Sequence, residues 1–239
     1  VSPGANAVRH DFRRAAQSAA IARQSIRANL PARTAVLPDT RMPSIAHPVF
    51  LRGSQVVLES LARSHEADLA HAVRDGELWK LWYTSIPSPE GMAAEIDRRL
   101  ELQRQGSMIP FAVVLAASGR AVGMTTFMNI DAANRHVEIG STWYRLAVQR
   151  TAVNTECKLM LLTHAFEAWD CIAVELRTHV LNRQSRAGIE RLGAKLDGIL
   201  RNHQLGREGT LRDTCVYSIT RAEWPTIKVH LQYALTRTR

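Results

Sequence analysis

Residues Gln149, Arg150, Thr151, Ala152, Val153 and Asn154 stand directly before an apolar run, "TECKLMLLTHAFE" at 155–167, that has the period of a helix. The start of a helix exposes unpaired backbone N–H groups at the positive end of the helix dipole, which makes a seat for phosphate groups. Arg150 would add a full charge to those partial ones. Ala152 and Val153 keep their side chains small or turned inward, while Asn154 and Thr155 are capping types. No glycine lies between Arg150 and Cys157. If position 152 needed a positive φ, alanine there would cost about 1–2 kcal/mol. Taken alone, these residues describe an ordinary basic, capped helix start equally well.

A second candidate is Glu138 in "HVEIG", flanked by Val137 and Ile139. A carboxylate on such a strand sits in a partly dry place, where burial raises its pKa and makes it a better proton acceptor. The competing reading is an ion pair with Arg135 or Arg177. His136 and His203 are reserve bases that read equally as structural or solvent-facing. Trp79, Trp82 and Tyr83 in "LWKLWY" (78–83) are a third candidate, since tryptophans three apart share a face if the segment turns as a helix. Core packing, the wall of a substrate site and a base-stacking platform all remain open, although no local basic cluster supports the last. No His/Cys/Asp cluster has metal spacing, and neither a G-x-S-x-G nor a Walker loop is present.

The elements that must position these residues follow from pattern. Strands are expected at 55–61, 109–117, 121–130, 136–144 and 171–180, and in a final hairpin of "KLDGILRNHQ" and "LRDTCVYSIT" with Gly206 and Gly209 in its turn. Helices are expected at 64–75 with Ser64 as N-cap, at 89–106 with Pro89 in the first turn and Gly106 at the C-terminal cap, and from Asn154 to Trp169. The last of these should turn Val153, Cys157, Met160, Leu161 and His164 inward. Residues 182–194 form another helix closed by Gly193, and "AEWPTIKVHLQYAL" closes the domain. This order defines an α/β (α+β) domain whose mixed, largely antiparallel central sheet of about six or seven strands is flanked by helices.

The chain of 239 residues, 46% hydrophobic, can bury a substantial core. No run reaches the roughly 18 apolar residues that span a bilayer, so no membrane partner is expected. Three cysteines without paired or metal spacing fit a reducing, cytoplasmic location. The net charge of +9 is uneven. Residues 1–41 hold seven arginines against two aspartates, and the remaining residues carry 24 basic and 20 acidic side chains. Nucleic acid is therefore disfavoured as a partner. Residues 1–48 read as a basic, flexible extension: a basic arm, a targeting peptide or translated upstream sequence. Residues 49–239 form the folded domain.

"Q149-R-T-A152-V-N154" resembles the Q/R-x-x-G-x-G/A loop of the GNAT N-acetyltransferase superfamily, and the continuation resembles its Rim-type branch, which acetylates ribosomal-protein N-termini. "N182-RQ-S185-RAGIERL-G193-A" is similar to a second segment of that family, and the likeness extends over about residues 50–228. The resemblance implies a GNAT fold and acetyl-coenzyme A as cosubstrate, with no metal. It places Val148, Arg150, Thr151, Ala152, Val153, Asn154, Thr155, Asn182, Ser185 and Arg186 on the cofactor. It further implies acetyl transfer to a primary amine, either a protein N-terminus or a small molecule, and is compatible with a homodimer. Glu138 would take the ammonium proton, Ser185 would assist the departing thiolate, and backbone N–H groups between Gly140 and Val148 would bind the thioester oxygen. Trp79, Trp82 and Tyr83 would wall the acceptor. Both loop glycines of the family are replaced, and Ile189 stands where many relatives have a tyrosine. Ser185 also reads as a helix cap. A non-catalytic coenzyme A or acyl-coenzyme A binding module with drifted catalytic groups is the alternative.

Overall fold

The computed structural model describes residues 49–206 and 209–237; the proposed extension at 1–48 lies outside the described residues. Eight strands form one sheet: β1 (Leu51–Arg52), β2 (Val56–Ser60), β3 (Met108–Leu115), β4 (Ala121–Asp131), β5 (His136–Tyr144), β6 (Ala173–His179), β7 (Lys195–Leu205) and β8 (Leu211–Thr220). Their spatial order is β1-β2-β3-β4-β5-β6-β8-β7. Every neighbouring pair is antiparallel except β5 and β6, which run parallel. The count exceeds the expected six or seven because two-residue β1 is too short to show alternation.

Among the described residues five helices cover the sheet: α1 (Glu66–Arg74), α2 (Met92–Arg104), α3 (Val153–Thr163), α4 (Arg183–Arg191) and α5 (Trp224–Thr236). A core under α3 and α5 gathers Phe111, Phe127, Leu161 and Tyr217. A second core under α1 and α2 gathers Leu69, Met92, Ile96 and Met124. Ser64 is not the cap of α1: it lies inside a 3₁₀ turn at Arg63–His65, and His65 Nδ1 accepts from the Ala62 N–H instead. Pro89 lies three residues ahead of α2 rather than in its first turn. The far end of α2 is as expected. Gly106, at φ +72°, donates to the Gln103 carbonyl while Ser107 donates to Leu102, satisfying two end-of-helix acceptors. α3 passes into a π turn at His164–Ala168. Along this stretch Leu162 and Ala165 are buried while Met160 and His164 are only half-buried.

Two irregularities shape the centre of the sheet. Met124 pairs with Trp143 but Thr126 with Gly140, so β5 carries an extra residue there, and Ser141 adopts φ +48°. Such a bulge bends a strand and increases its twist. β6 pairs with β5 only from His136 to Glu138, opposite Ala173 to Glu175. Beyond that point the two strands part, and their unpaired inner edges open a cleft.

Candidate active site

The cleft has a volume of about 1390 Å³ and is walled by β5, β6, the loop before α3 and the start of α4. Glu138 sits at the fork, on the last residue of β5 paired with β6. Its carboxylate accepts from Asn129 Nδ2 at 2.7 Å and lies 3.6 Å from Arg177 Nε. Burial raises its pKa, partly opposed by Asn129 and Arg177. Glu138 is 6% exposed and yet lines the cleft. Arg177 is shared, since its Nη2 also meets Glu175 at 2.6 Å. Arg135 pairs with Asp170 instead of Glu138.

Position 152 does not need a positive φ. Ala152 has φ −69° and ψ −15°, ordinary helical values, so it bears no strain. The left-handed residue is Arg150, at φ +61°. Neither Asn154 nor Thr155 caps α3. Thr151 Oγ1 accepts from the Val153 N–H at 3.3 Å, and the first N–H to enter the helical ladder is that of Glu156. The N–H groups of Asn154 and Thr155 are thus left outside the ladder, at the positive end of the helix. Arg150, Thr151, Ala152, Asn154 and Thr155 all line the cleft.

Polar ties lace this seat to α4. Gln149 Nε2 donates to the Tyr144 carbonyl while its Oε1 accepts from Gln184, and Arg191 Nη1 donates to Thr155 Oγ1 at 3.1 Å. Asn182, not Ser185, caps α4: its side-chain oxygen accepts the Ser185 N–H at 3.0 Å. Ser185 lines the cleft with its hydroxyl uncommitted to the cap. Several sequence candidates fall elsewhere. Arg186 is turned away, donating to the Tyr217 hydroxyl and the Val180 carbonyl. Val153 is buried in the core and Val148 packs against it. Trp79 packs against the second core, because the 3₁₀ turn ends at Lys80 and Trp82 points elsewhere. Tyr83 lines the cleft, whereas Trp82 borders a smaller adjoining pocket. Of the reserve bases, His203 lines the cleft, and His136 lies 3.6 Å from Glu175.

Two residues of α3 went unnoticed in the sequence. Glu156 is a buried clamp: its carboxylate accepts from the N–H groups of Ser54, Gln55 and Val56 and from the Ser54 hydroxyl, all within 2.6–2.9 Å. Lys158 is 4% exposed and lines the cleft, donating to Thr142 Oγ1 at 2.8 Å and Thr125 Oγ1 at 3.3 Å. Burial pushes its pKa down to about 8. The signal was present, since Lys158 lies four residues before buried Leu162, on the same helical face. Cys157 is no nucleophile, because burial pushes its thiol up to about 12. Among the described residues no group of three His, Cys, Asp or Glu is arranged to hold a metal.

A sheet split at its one parallel pair, a helix start aimed into the split and a buried carboxylate at the fork define an acyl-transferase type of cleft. The chain belongs to the acetyltransferase (GNAT) domain family, whose model matches residues 55–195. It is 33% identical over 110 residues to the Bacillus subtilis protein named "Putative ribosomal N-acetyltransferase YdaF". That match spans 46% of this chain and 59% of the relative. A GCN5-related N-acetyltransferase from Brucella melitensis has a similar structure, with TM-score 0.71 and 28% identity over 80% of this chain and 86% of the other. Mycobacterium smegmatis RimJ, solved in complex with CoA-disulfide, shares the fold at TM-score 0.66 and 22% identity, over 80% of this chain and 94% of that one.

Proposed function

We propose that this chain transfers an acetyl group from acetyl-coenzyme A to a primary amine. The observation that carries the reading is the position of Glu138 at the fork of β5 and β6, in one cleft with the free helix-start amides of α3. The B. subtilis relative, by its name a ribosomal N-acetyltransferase, supports a ribosomal amine as acceptor.

Acetyl-coenzyme A supplies the acetyl group as a thioester. Arg150 and the N–H groups of Asn154 and Thr155 hold the pyrophosphate, where the absence of strain at Ala152 leaves the seat intact without glycine. The parted edge of β5, bent by the bulge at Ser141, offers N–H groups to the thioester oxygen as it gains charge. An acceptor ammonium, with a pKa near 10, gives its proton to Glu138. The freed amine attacks the carbonyl carbon, the carbon–sulfur bond breaks, the thiolate leaves, and the attacking nitrogen gives its second proton to solvent to become the amide. Ser185 at the start of α4 is placed to give that thiolate a proton, which solvent then replaces.

Titrating the chain with acetyl-coenzyme A and following thiol release with amines and N-terminal peptides tests the reading. Tight cofactor binding with turnover on at least one amine is the expected result. Binding without turnover on any amine would leave a coenzyme A binding module, and absence of both would overturn the reading.

A further inference from the structure

Beside the main cleft lies a second pocket of about 260 Å³, bordered by Trp82, Leu205, Gly206 and Thr210. The two spaces share Tyr83, Thr84, Ser85, His179, Gln204 and Arg212 as a common wall, so they adjoin. No Asp or Glu is among the described residues that line the small pocket. Its polar lining includes the Arg212 guanidinium, which only donates, and the His179 ring. His179 Nδ1 accepts from the Leu181 N–H at 3.0 Å, so the neutral ring carries its proton on Nε2. Burial, with help from Arg212, lowers the His179 pKa and favours that neutral ring. The Trp82 ring stands edge-on to His179 at 5.3 Å and fixes it from one side.

Arg212 is the unusual member. Its Nε donates to Thr214 Oγ1 at 3.1 Å, and no carboxylate of the described residues lies within ion-pair distance of the guanidinium. Burial depresses its pKa, with Glu138 acting in the opposite direction. Arg177, the neighbouring guanidinium in the cleft, is already neutralised by Glu175 and Glu138. A half-buried guanidinium with no carboxylate of the described residues at ion-pair distance is costly, and its fork of donors matches a carboxylate.

We propose that the pocket bounded by Trp82, His179 and Arg212 receives a carboxylate of the acceptor, which makes the acetylated molecule an aminocarboxylate. Its source is either a free amino acid or a peptide N-terminus with an acidic residue close behind the amine. This rests on the acetylation reading above: the amine lies at Glu138 and the carboxylate at Arg212. The two residues line one cleft and are near enough to bias each other's titration.

Matched acceptor pairs test the proposal on the full chain with saturating acetyl-coenzyme A. One arm compares free amino acids with their amides. The other compares Ser-Glu and Ser-Gln peptides, both amidated at the C-terminus. In one arm the carboxylate member should show kcat/KM at least about tenfold above its partner. Arg212→Met should bring that ratio close to one, and Arg212→Lys should keep part of it. General structural damage would lower both members together and leave the ratio intact. Wild-type ratios near one in both arms, or a ratio that survives Arg212→Met, would overturn the proposal. If no acceptor is turned over, the acetylation reading fails and calorimetric binding of the same pairs still decides this one. A carboxylate preference lost in Arg212→Met supports the pocket; equal binding of both members, or none, refutes it.

Discussion

Lys158 Nζ donates to Thr142 Oγ1 across 2.8 Å, and the lysine is 4% exposed, held in the wall of the cleft by two threonine hydroxyls. A dry ammonium with only neutral partners costs the folded state free energy that the unfolded chain does not bear. The pKa is lowered by burial from 10.5 to about 8. That penalty, about 3 kcal/mol, is fully present below the folded value of about 8. It fades as pH rises towards 10.5, because there both states are neutral.

Lys158→Met should therefore be more stable than the parent at pH 7, with the difference shrinking between pH 8 and 10.5. Urea unfolding of both proteins across that window measures it. A methionine variant less stable at pH 7 would show that the ammonium is well satisfied where it stands.

The two polar residues at the start of α4 should separate by effect. Asn182→Ala removes the acceptor of the Ser185 N–H and should cost about 1 kcal/mol in denaturant unfolding. Ser185→Ala leaves that cap in place, so stability should hold while turnover falls modestly. A larger stability loss in the serine variant would reverse the assignment.

Arg150 combines a left-handed backbone with a charge at the proposed cofactor seat. Arg150→Gly should relieve strain and change stability by no more than about 1 kcal/mol, since glycine also loosens the unfolded chain. Acetyl-coenzyme A binding should weaken by about 1–3 kcal/mol, the size of a charge-assisted contact. Calorimetric titration beside a melting curve reads both, and unchanged affinity would remove Arg150 from the site.

Much of this was legible in the sequence because it is local. Alternation in 136–144 marked β5 and put Glu138 among apolar neighbours, and the basic start of α3 marked the seat. What was hidden depends on distant partners. Glu156 clamps Ser54, Gln55 and Val56, about a hundred positions away. Lys158 is held by Thr142 and Thr125, which lie on two different strands. Arg186, expected on the cofactor, is drawn instead to Tyr217 on β8. The positive φ considered for Ala152 falls instead at Arg150, two residues earlier, where the loop turns before the helix begins.

The pH–rate profile of Glu138→Gln against wild type, at saturating acetyl-coenzyme A, tests proton removal at the fork most directly. Glutamine keeps the shape and the Asn129 contact but accepts no proton. Wild type should show an acidic limb above the ordinary carboxylate value of 4.5, because burial raises Glu138, and activity should be lost below it as the carboxyl becomes protonated. The variant should lose that limb and turn over about 10²–10⁴-fold more slowly with cofactor affinity retained. Wild-type turnover with the acidic limb intact in Glu138→Gln would contradict the assignment of Glu138 as the base.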